Sequence, residues 1–301
     1  MSETNPEQSG SNTVGLVGLG LLGSAIAEVL IEQGFEVVGF DIDPDKRSEM
    51  RECGVWSADS AAHVGEAAEY IVLSLPDTAA VLEAIEGPEG ICSSGSLPRY
   101  IIDTTTGDPD ETTALAGRLK DRGVAFIDAT VSGSSQQMRE RDVVLMVGGD
   151  EEAVEACRDI LDAMSEKVFH LGTVGSGSKA KLASNLILGL NRAALAEGLV
   201  FAEKLGLDLE KLLEVLKASP AYSAAMDAKG GKMLSGEFSP QSRIRQHRKD
   251  VGLIVEYAKR AGQELPLSAV HMGLLDKAIE AGDADLDNAA VIKEIRRRCK
   301  S

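Results

Sequence analysis

Cysteine is scarce and unpatterned in this 301-residue chain: Cys53, Cys92, Cys157 and Cys299 stand apart, with no Cys-x-x-Cys pair. That spacing offers neither a disulfide framework nor a zinc site and fits a reducing compartment, so a cytoplasmic location is expected. Histidine is as sparse. His63, His170, His247 and His271 are isolated in the chain and read as surface or core side chains in preference to metal ligands. Positive charge is in deficit, since 31 Lys and Arg face 48 Asp and Glu, a net charge of −17. Such a field repels nucleic acid and anionic membrane, and any site for a small anion must build its own local positive potential. A stretch of roughly 18 apolar residues, as a membrane span needs, is not found. The opening MSETNPEQSGSNT has neither a basic start nor an apolar run, so residues 1–12 are expected to be a loose, disordered tail and not a signal peptide.

What the chain does have is alternation. From Thr13 a short apolar run, TVGLVGLG, is followed by a helical period in LLGSAIAEVLIEQG and a second apolar run, FEVVGFD, which together read as a βαβ unit. Further strand-like runs, YIVLSL, RYIIDTT, VAFIDA, VVLMVGG and KVFHLG, are separated by helix-like stretches. The expected fold is α/β, a doubly wound, mostly parallel sheet covered on both faces, over residues 13–174. After Gly175 the alternation stops and residues 175–301 read as an all-helical domain. Its first helix, Ser178 to Lys204, is apolar around most of its circumference and is expected at the centre of a bundle.

GLGLLG places Gly18, Gly20 and Gly23 at G-x-G-x-x-G spacing, with a strand before it and a helix after it. Gly18 allows a tight turn, Gly20 lets backbone approach a pyrophosphate, and Gly23 lets the helix pack on the strand. The helix-end backbone around Leu19, Leu21 and Leu22 would then face the phosphates. Asp41 closes the next strand, where a carboxylate accepts hydrogen bonds from adenosine ribose hydroxyls and repels a 2′-phosphate. NAD is therefore expected over NADP, with Asp43 as the alternative carboxylate. LSLPD and DTTTGDP also follow strands, at the sheet edge where ligands bind; Leu75 and Pro76 would shape the loop at the adenosine end, and Thr106 would offer a hydroxyl near the nicotinamide. Ordinary turn chemistry accounts for both loops equally well.

VGSGSKAKLASN, at the junction of the two halves, carries Lys179 and Lys181, which in a helix lie roughly 200° apart, so one site can use only one of them. Together with GLGLLGSAIAEVLIEQGFEVVGFD, LPD, DTTTGDP, DATVSGS and RKDVGLIVEYAKRAG, this stretch resembles the β-hydroxyacid dehydrogenase family, which includes 3-hydroxyisobutyrate dehydrogenases and tartronate semialdehyde reductases. The resemblance implies a Rossmann-type domain, an all-helical domain and an active site in the cleft between them. It implies that Lys181 is the catalytic lysine and Asn185 its partner, that Ser132, Gly133 and Ser134 hold a substrate carboxylate, and that Lys249 reaches back to cofactor and substrate. The spacing agrees, because Lys181 and Asn185 are at i and i+4 on one helix face, with Lys179 turned away.

Several departures from the family pattern are visible. Thr130 stands for the usual proline, Ser134 for the second glycine of Ser-Gly-Gly, QQMRERD for a glycine-containing stretch, and Ala80 for an asparagine of some members. They leave the reaction type intact and put the substrate in question. SRIRQHRKD gathers Arg243, Arg245, His247, Arg248 and Lys249; Arg245 either reads a strongly anionic substrate group or pairs with surplus carboxylates on a solvated face. The expected function is NAD-dependent interconversion of a small 3-hydroxyacid and its semialdehyde, in a homodimer or homotetramer. The alternatives are an NADPH-dependent glyoxylate or succinic semialdehyde reductase, and a non-catalytic NAD-binding scaffold.

Overall fold

The computed structural model describes residues 12–298. The expected tail therefore lies outside the described residues except for Asn12, whose carbonyl accepts the Glu36 N–H at 3.0 Å; Cys299 also lies outside them.

The chain forms a first compact unit that ends at Lys181 and a second that begins at Leu182. In the first, β1 (Thr13–Val17), α1 (Leu21–Glu32) and β2 (Glu36–Phe40) make the expected βαβ unit. They are followed by α2 (Pro44–Glu52), β3 (Trp56–Ser57), α3 (Ala61–Ala67), β4 (Tyr70–Leu73), α4 (Thr78–Glu86), β5 (Tyr100–Asp103) and α5 (Pro109–Lys120). The unit continues with β6 (Ala125–Ser132), α6 (Ser135–Arg139), β7 (Val144–Gly148), α7 (Glu151–Ala156), α8 (Arg158–Met164) and β8 (Lys167–His170). The sheet order is β3-β2-β1-β4-β5-β6-β7-β8. All pairings are parallel except β6 with β7, where the short connection between Ser132 and Val144 favours antiparallel return over a crossover. The strand order reverses beside β1, so the loops after β1 and β4 flank the switch point at which such sheets bind ligands.

Successive strand residues fall into different apolar clusters. Leu16, Val72, Ile102 and Ile127 pack with α1 and α8 residues such as Ile26 and Leu161. Their neighbours Val17, Ile71, Leu73, Ile101 and Phe126 pack with Val64, Ile85 and Leu115 of α3, α4 and α5. This two-residue period shows both faces of the sheet covered by helices.

Helix α9 (Ser176–Lys204) is continuous over 29 residues, about 43 Å. The second unit adds α10 (Leu209–Ala218), α11 (Ala224–Ser235), α12 (Ile244–Arg260), α13 (Pro266–Glu280) and α14 (Val291–Arg297). Leu195, Leu199 and Val200 of α9 pack with Met233, Ile244, Val251, Leu275 and Ile292 in the core of this unit. A buried ion pair, Lys229 Nζ to Asp287 Oδ2 at 2.9 Å, ties α11 to the turn before α14. Two expectations about α9 need correction. It is not covered all round, since Ile187 (59% exposed) and Phe201 (64%) face outward within the chain. By length and composition it is also long and apolar enough to cross a membrane, because Leu, Ile, Val, Phe and Ala dominate it and charged residues are few. α11, α6 and the two-residue β3 were not expected from the sequence; α11 carries two glycines and α6 and β3 are too short to show a period.

Candidate functional site

The β1–α1 turn is built by its glycines. Gly18 has φ +97°, and a Cβ there would lie 2.2 Å from the Ser74 carbonyl oxygen. A Cβ at Gly23 would lie 1.9 Å from the Gly18 oxygen, so α1 starts in direct contact with the turn. At Gly20 a Cβ would meet nothing within 4 Å. α1 has no side-chain cap, so no side chain occupies the backbone N–H groups of its first turn, from Leu21 onward, where a phosphate would bind. Leu19 departs from expectation. Its side chain is buried, and its N–H is given to Asp41 Oδ2 at 2.8 Å, so it stabilises the turn instead of facing a phosphate.

Asp41, 7% exposed, closes β2 and also accepts the Asp43 N–H through Oδ1 at 2.9 Å. Each oxygen retains a second lone-pair direction. Lys46 Nζ stands 3.6 Å from Asp41 Oδ2, and Arg47 lies over the Phe40 ring while donating to the Asp41 main-chain carbonyl, so one cation faces the carboxylate and a second sits on its backbone. Asp43 instead accepts the Asp45 N–H at 3.0 Å and caps α2. After β4, Leu75 N–H donates to Thr105 Oγ1 at 3.1 Å and Pro76 is exposed. In DTTTGDP, Thr104 and Thr105 are buried, Thr104 donating to the Leu73 oxygen at 2.7 Å; Thr106 is left half-buried at the edge. Burial pushes the neighbouring Asp103 carboxyl up to about 7.

At the start of α9 the two lysines separate: Lys179 is exposed, and Lys181 is 8% exposed with Nζ donating to the Val131 oxygen of β6 at 2.7 Å. Asn185 is half-buried one turn further on. β6 also supplies Asp128, whose Oδ1 and Oδ2 accept the Gly175 and Ser178 N–H groups at 2.7 and 2.6 Å, and Thr130, whose Oγ1 donates to the Gly177 oxygen at 3.0 Å. Burial raises the Asp128 carboxyl above its ordinary range, with the two N–H bonds opposing.

At the end of β6, Ser132 is half-buried and Gly133 exposed. The Ser134 N–H, expected to grip a carboxylate, is taken by Gln137 Oε1 at 3.0 Å while Ser134 Oγ accepts the Gln137 N–H at 3.2 Å. The serine that replaces a glycine is thus one half of a capping box for α6. In the glycine-poor stretch that follows, Arg141 adopts φ +56°, a left-handed conformation held by its guanidinium on the Ala163 and Asp162 oxygens.

In the helical unit the basic patch is neutralised. Arg245 Nη2 lies 2.5 Å from Asp285, with Arg243 at 3.6 Å from the same carboxylate, and Arg248 pairs with Asp276. Arg245 and Asp285 are both more than half exposed, a solvated pair of the kind the surplus-carboxylate reading describes. Lys249 is half-buried on α12. His247 and His271, isolated in the sequence, meet with ring centroids 5.1 Å apart against Gly189 of α9, where a Cβ would come within 2.9 Å of each ring. Beside them Arg192 is 5% exposed, with Nε and Nη1 unpaired. Burial holds His247 well below its ordinary value, lowers His271 to about 4 and Arg192 to about 10.

Sequence reasoning missed Asp128 and the His247–His271 pair. An acid inside the apolar run VAFIDATVS was a readable signal for the first. The histidines are 24 residues apart on different helices, and nothing local announces their meeting.

Comparison with known proteins adds sequence relationship to this geometry. Residues 13–172 match the family described as the NAD binding domain of 6-phosphogluconate dehydrogenase. Residues 175–295 match the NAD-binding domain of NADP-dependent 3-hydroxyisobutyrate dehydrogenase. The chain is 31% identical over 281 residues to 2-(hydroxymethyl)glutarate dehydrogenase of Eubacterium barkeri, covering 93% of each. It is 31% identical over 283 residues to 2-hydroxy-3-oxopropionate reductase of Escherichia coli (strain K12), covering 94% of this chain and 96% of the other. The structure of 3-hydroxyisobutyrate dehydrogenase from Mycobacterium tuberculosis, with L-serine, superposes with a TM-score of 0.85 at 28% identity, covering 95% of this chain and 99% of that one.

Proposed function

The chain belongs to the 3-hydroxyisobutyrate (β-hydroxyacid) dehydrogenase family of NAD(P)-binding oxidoreductases, and from that premise we propose that it interconverts a small 3-hydroxyacid and its semialdehyde, with NAD as preferred cofactor and Lys181 as general acid and base. The observation that carries the reading is Lys181 itself, buried, with Nζ on the Val131 oxygen and Asn185 one turn away on the same helix.

Bound NAD supplies the hydride acceptor. The open backbone at Gly20, the uncapped first turn of α1 and the Asp41 carboxylate would hold it. In oxidation Lys181 Nζ, held by Val131, takes the proton of the substrate hydroxyl; in reduction it returns one. Asn185 offers neutral hydrogen bonds to the hydroxyl or carboxylate, Ser132 and Gly133 hold the carboxylate, and Lys249 serves cofactor and substrate. With the Ser134 N–H engaged by Gln137, the carboxylate grip has one N–H fewer than the sequence suggested. Asp41 supports NAD, because a 2′-phosphate would approach a buried carboxylate; Lys46 and Arg47 soften that repulsion, so NADP is a poorer substrate and not an excluded one. The exposed apolar residues Ile187 and Phe201 of α9, with Leu205 just beyond its end, support self-association into a homodimer or homotetramer.

The deciding experiment is a screen of NAD reduction against a panel of 3-hydroxyacids with wild type, Lys181→Met and Lys179→Met. On the best acid, Lys181→Met should lose on the order of 10²- to 10⁴-fold in kcat, and Lys179→Met should stay near wild type. Full activity in Lys181→Met would refute the assignment of the base, and no turnover of any acid by wild type would favour the scaffold alternative.

A further inference from the structure

We infer that Thr130, acting with Asp128, is a positioning residue that sets where Lys181 stands by locking the first turn of α9 onto β6. The inference rests on the catalytic reading of Lys181. Asp128 and Thr130 are two apart on β6, so their side chains project from the same face of the strand, and both are essentially fully buried. Asp128 holds the N–H groups of Gly175 and Ser178 at 2.7 and 2.6 Å, two backbone donors on either side of the helix start at Ser176. Thr130 holds an acceptor of the same turn, with Oγ1 3.0 Å from the Gly177 oxygen and 3.3 Å from the Met146 oxygen. In an α-helix the Gly177 oxygen also receives the N–H of Lys181, four residues on. The Thr130 hydroxyl and the backbone of the lysine therefore converge on one oxygen, while the lysine Nζ returns to the next β6 residue, Val131.

The surroundings are cut to fit this joint. A Cβ on Gly177 would lie 2.3 Å from the Met146 oxygen and 2.7 Å from the Asp128 oxygen, so the helix start rests on strand backbone. A Cβ on Gly148 would lie 2.5 Å from Asp128 Oδ1, in the space the carboxylate uses. The Thr130 bond to Gly177 anchors the helix four positions, about one turn, before the reacting lysine. Proton transfer needs its partners in a narrow distance range, and a shift of about 1 Å can cost on the order of a hundredfold.

The test compares Thr130→Val, which removes the hydroxyl and keeps the shape, with Thr130→Ser, which keeps the hydroxyl. Thr130→Ala and Lys181→Met accompany them, all assayed on the best acid over a range of NAD concentrations that reaches saturation. Thr130→Val should lose about tenfold in kcat while the KM for NAD stays within twofold, because the turn at Gly18 to Gly23 is untouched; Thr130→Ser should stay within twofold in both. Thr130→Ala should show the same split as Thr130→Val and decides the matter if the valine variant does not fold. A wild-type kcat without the hydroxyl, a serine variant as impaired as the valine one, or a KM for NAD that rises in step with the loss would overturn the inference. If Lys181→Met is inactive and Thr130→Val normal, only the clamp is wrong; if Lys181→Met is active, the catalytic reading itself has failed.

Discussion

Acid should loosen the helical unit through the buried histidine pair, and His271→Gln isolates the effect. His271 is 3% exposed, and burial together with the Arg192 guanidinium lowers it from the ordinary 6.5 to about 4. A group whose folded pKa is depressed binds its proton in the unfolded chain first, so stability is full above about 6.5, falls below it, and stops falling below about 4. At about 1.36 kcal/mol per pH unit the loss from this one group is about 2 kcal/mol by pH 5 and about 3 kcal/mol by pH 4. His247, depressed by the same burial and by both neighbours, adds loss of the same sign. The bare pH curve of the wild type would conceal this. Asp103, raised to about 7, is a carboxyl whose proton the folded state prefers, so its contribution grows as pH falls from about 7 towards the ordinary 3.8. By pH 5 that gain is about 2.5 kcal/mol, enough to offset His271. Urea unfolding followed by circular dichroism at pH 7.5, 6 and 5, on wild type and His271→Gln, removes the common terms. The wild type should lose about 2 kcal/mol more than the variant between pH 7.5 and pH 5. Equal losses in the two proteins would refute the reasoning, whatever the absolute stabilities.

Cofactor choice should follow Asp41. Wild type should show a higher kcat/KM with NAD than with NADP, and Asp41→Asn should narrow or reverse that ratio by about tenfold, since a neutral amide removes the buried negative charge and leaves Lys46 and Arg47 in place. A variant ratio equal to wild type in steady-state kinetics would show that Asp41 serves only the Leu19 turn. Self-association should depend on the outer face of α9: in sedimentation velocity the wild type should run as a dimer or tetramer and Ile187→Asp/Phe201→Asp as a smaller species, and a monomeric wild type would remove the proposal.

The parts of the site legible in the sequence are those in which neighbours along the chain do the work. G-x-G-x-x-G is such a case, because the contacts that make glycine necessary at Gly18 and Gly23 lie within the turn or one strand away. The separation of Lys179 from Lys181 is another, following from helix geometry alone and now visible as one exposed and one buried lysine. Where competing partners exist, local reading went astray. The Leu19 and Ser134 N–H groups were assigned to ligands, and each found a side chain of the protein first. Arg245 was offered two readings, and its partner Asp285 lies 40 residues away, where no local reading could name it.

The sequence by itself determined the α/β alternation, the glycine turn with Asp41 behind it, the change to helix after Gly175 and the placing of Lys181 and Asn185 one turn apart on the same helix, because each depends on a period or spacing of a few residues. Only the tertiary structure decided that β6 carries Asp128, Thr130 and Val131 to the first turn of α9, and that Arg192, His247 and His271 are buried together. Those arrangements join residues about 50 positions apart or on different helices. Their energies come from removing polar groups from water together, and such groups become neighbours only once the apolar clusters have closed around them.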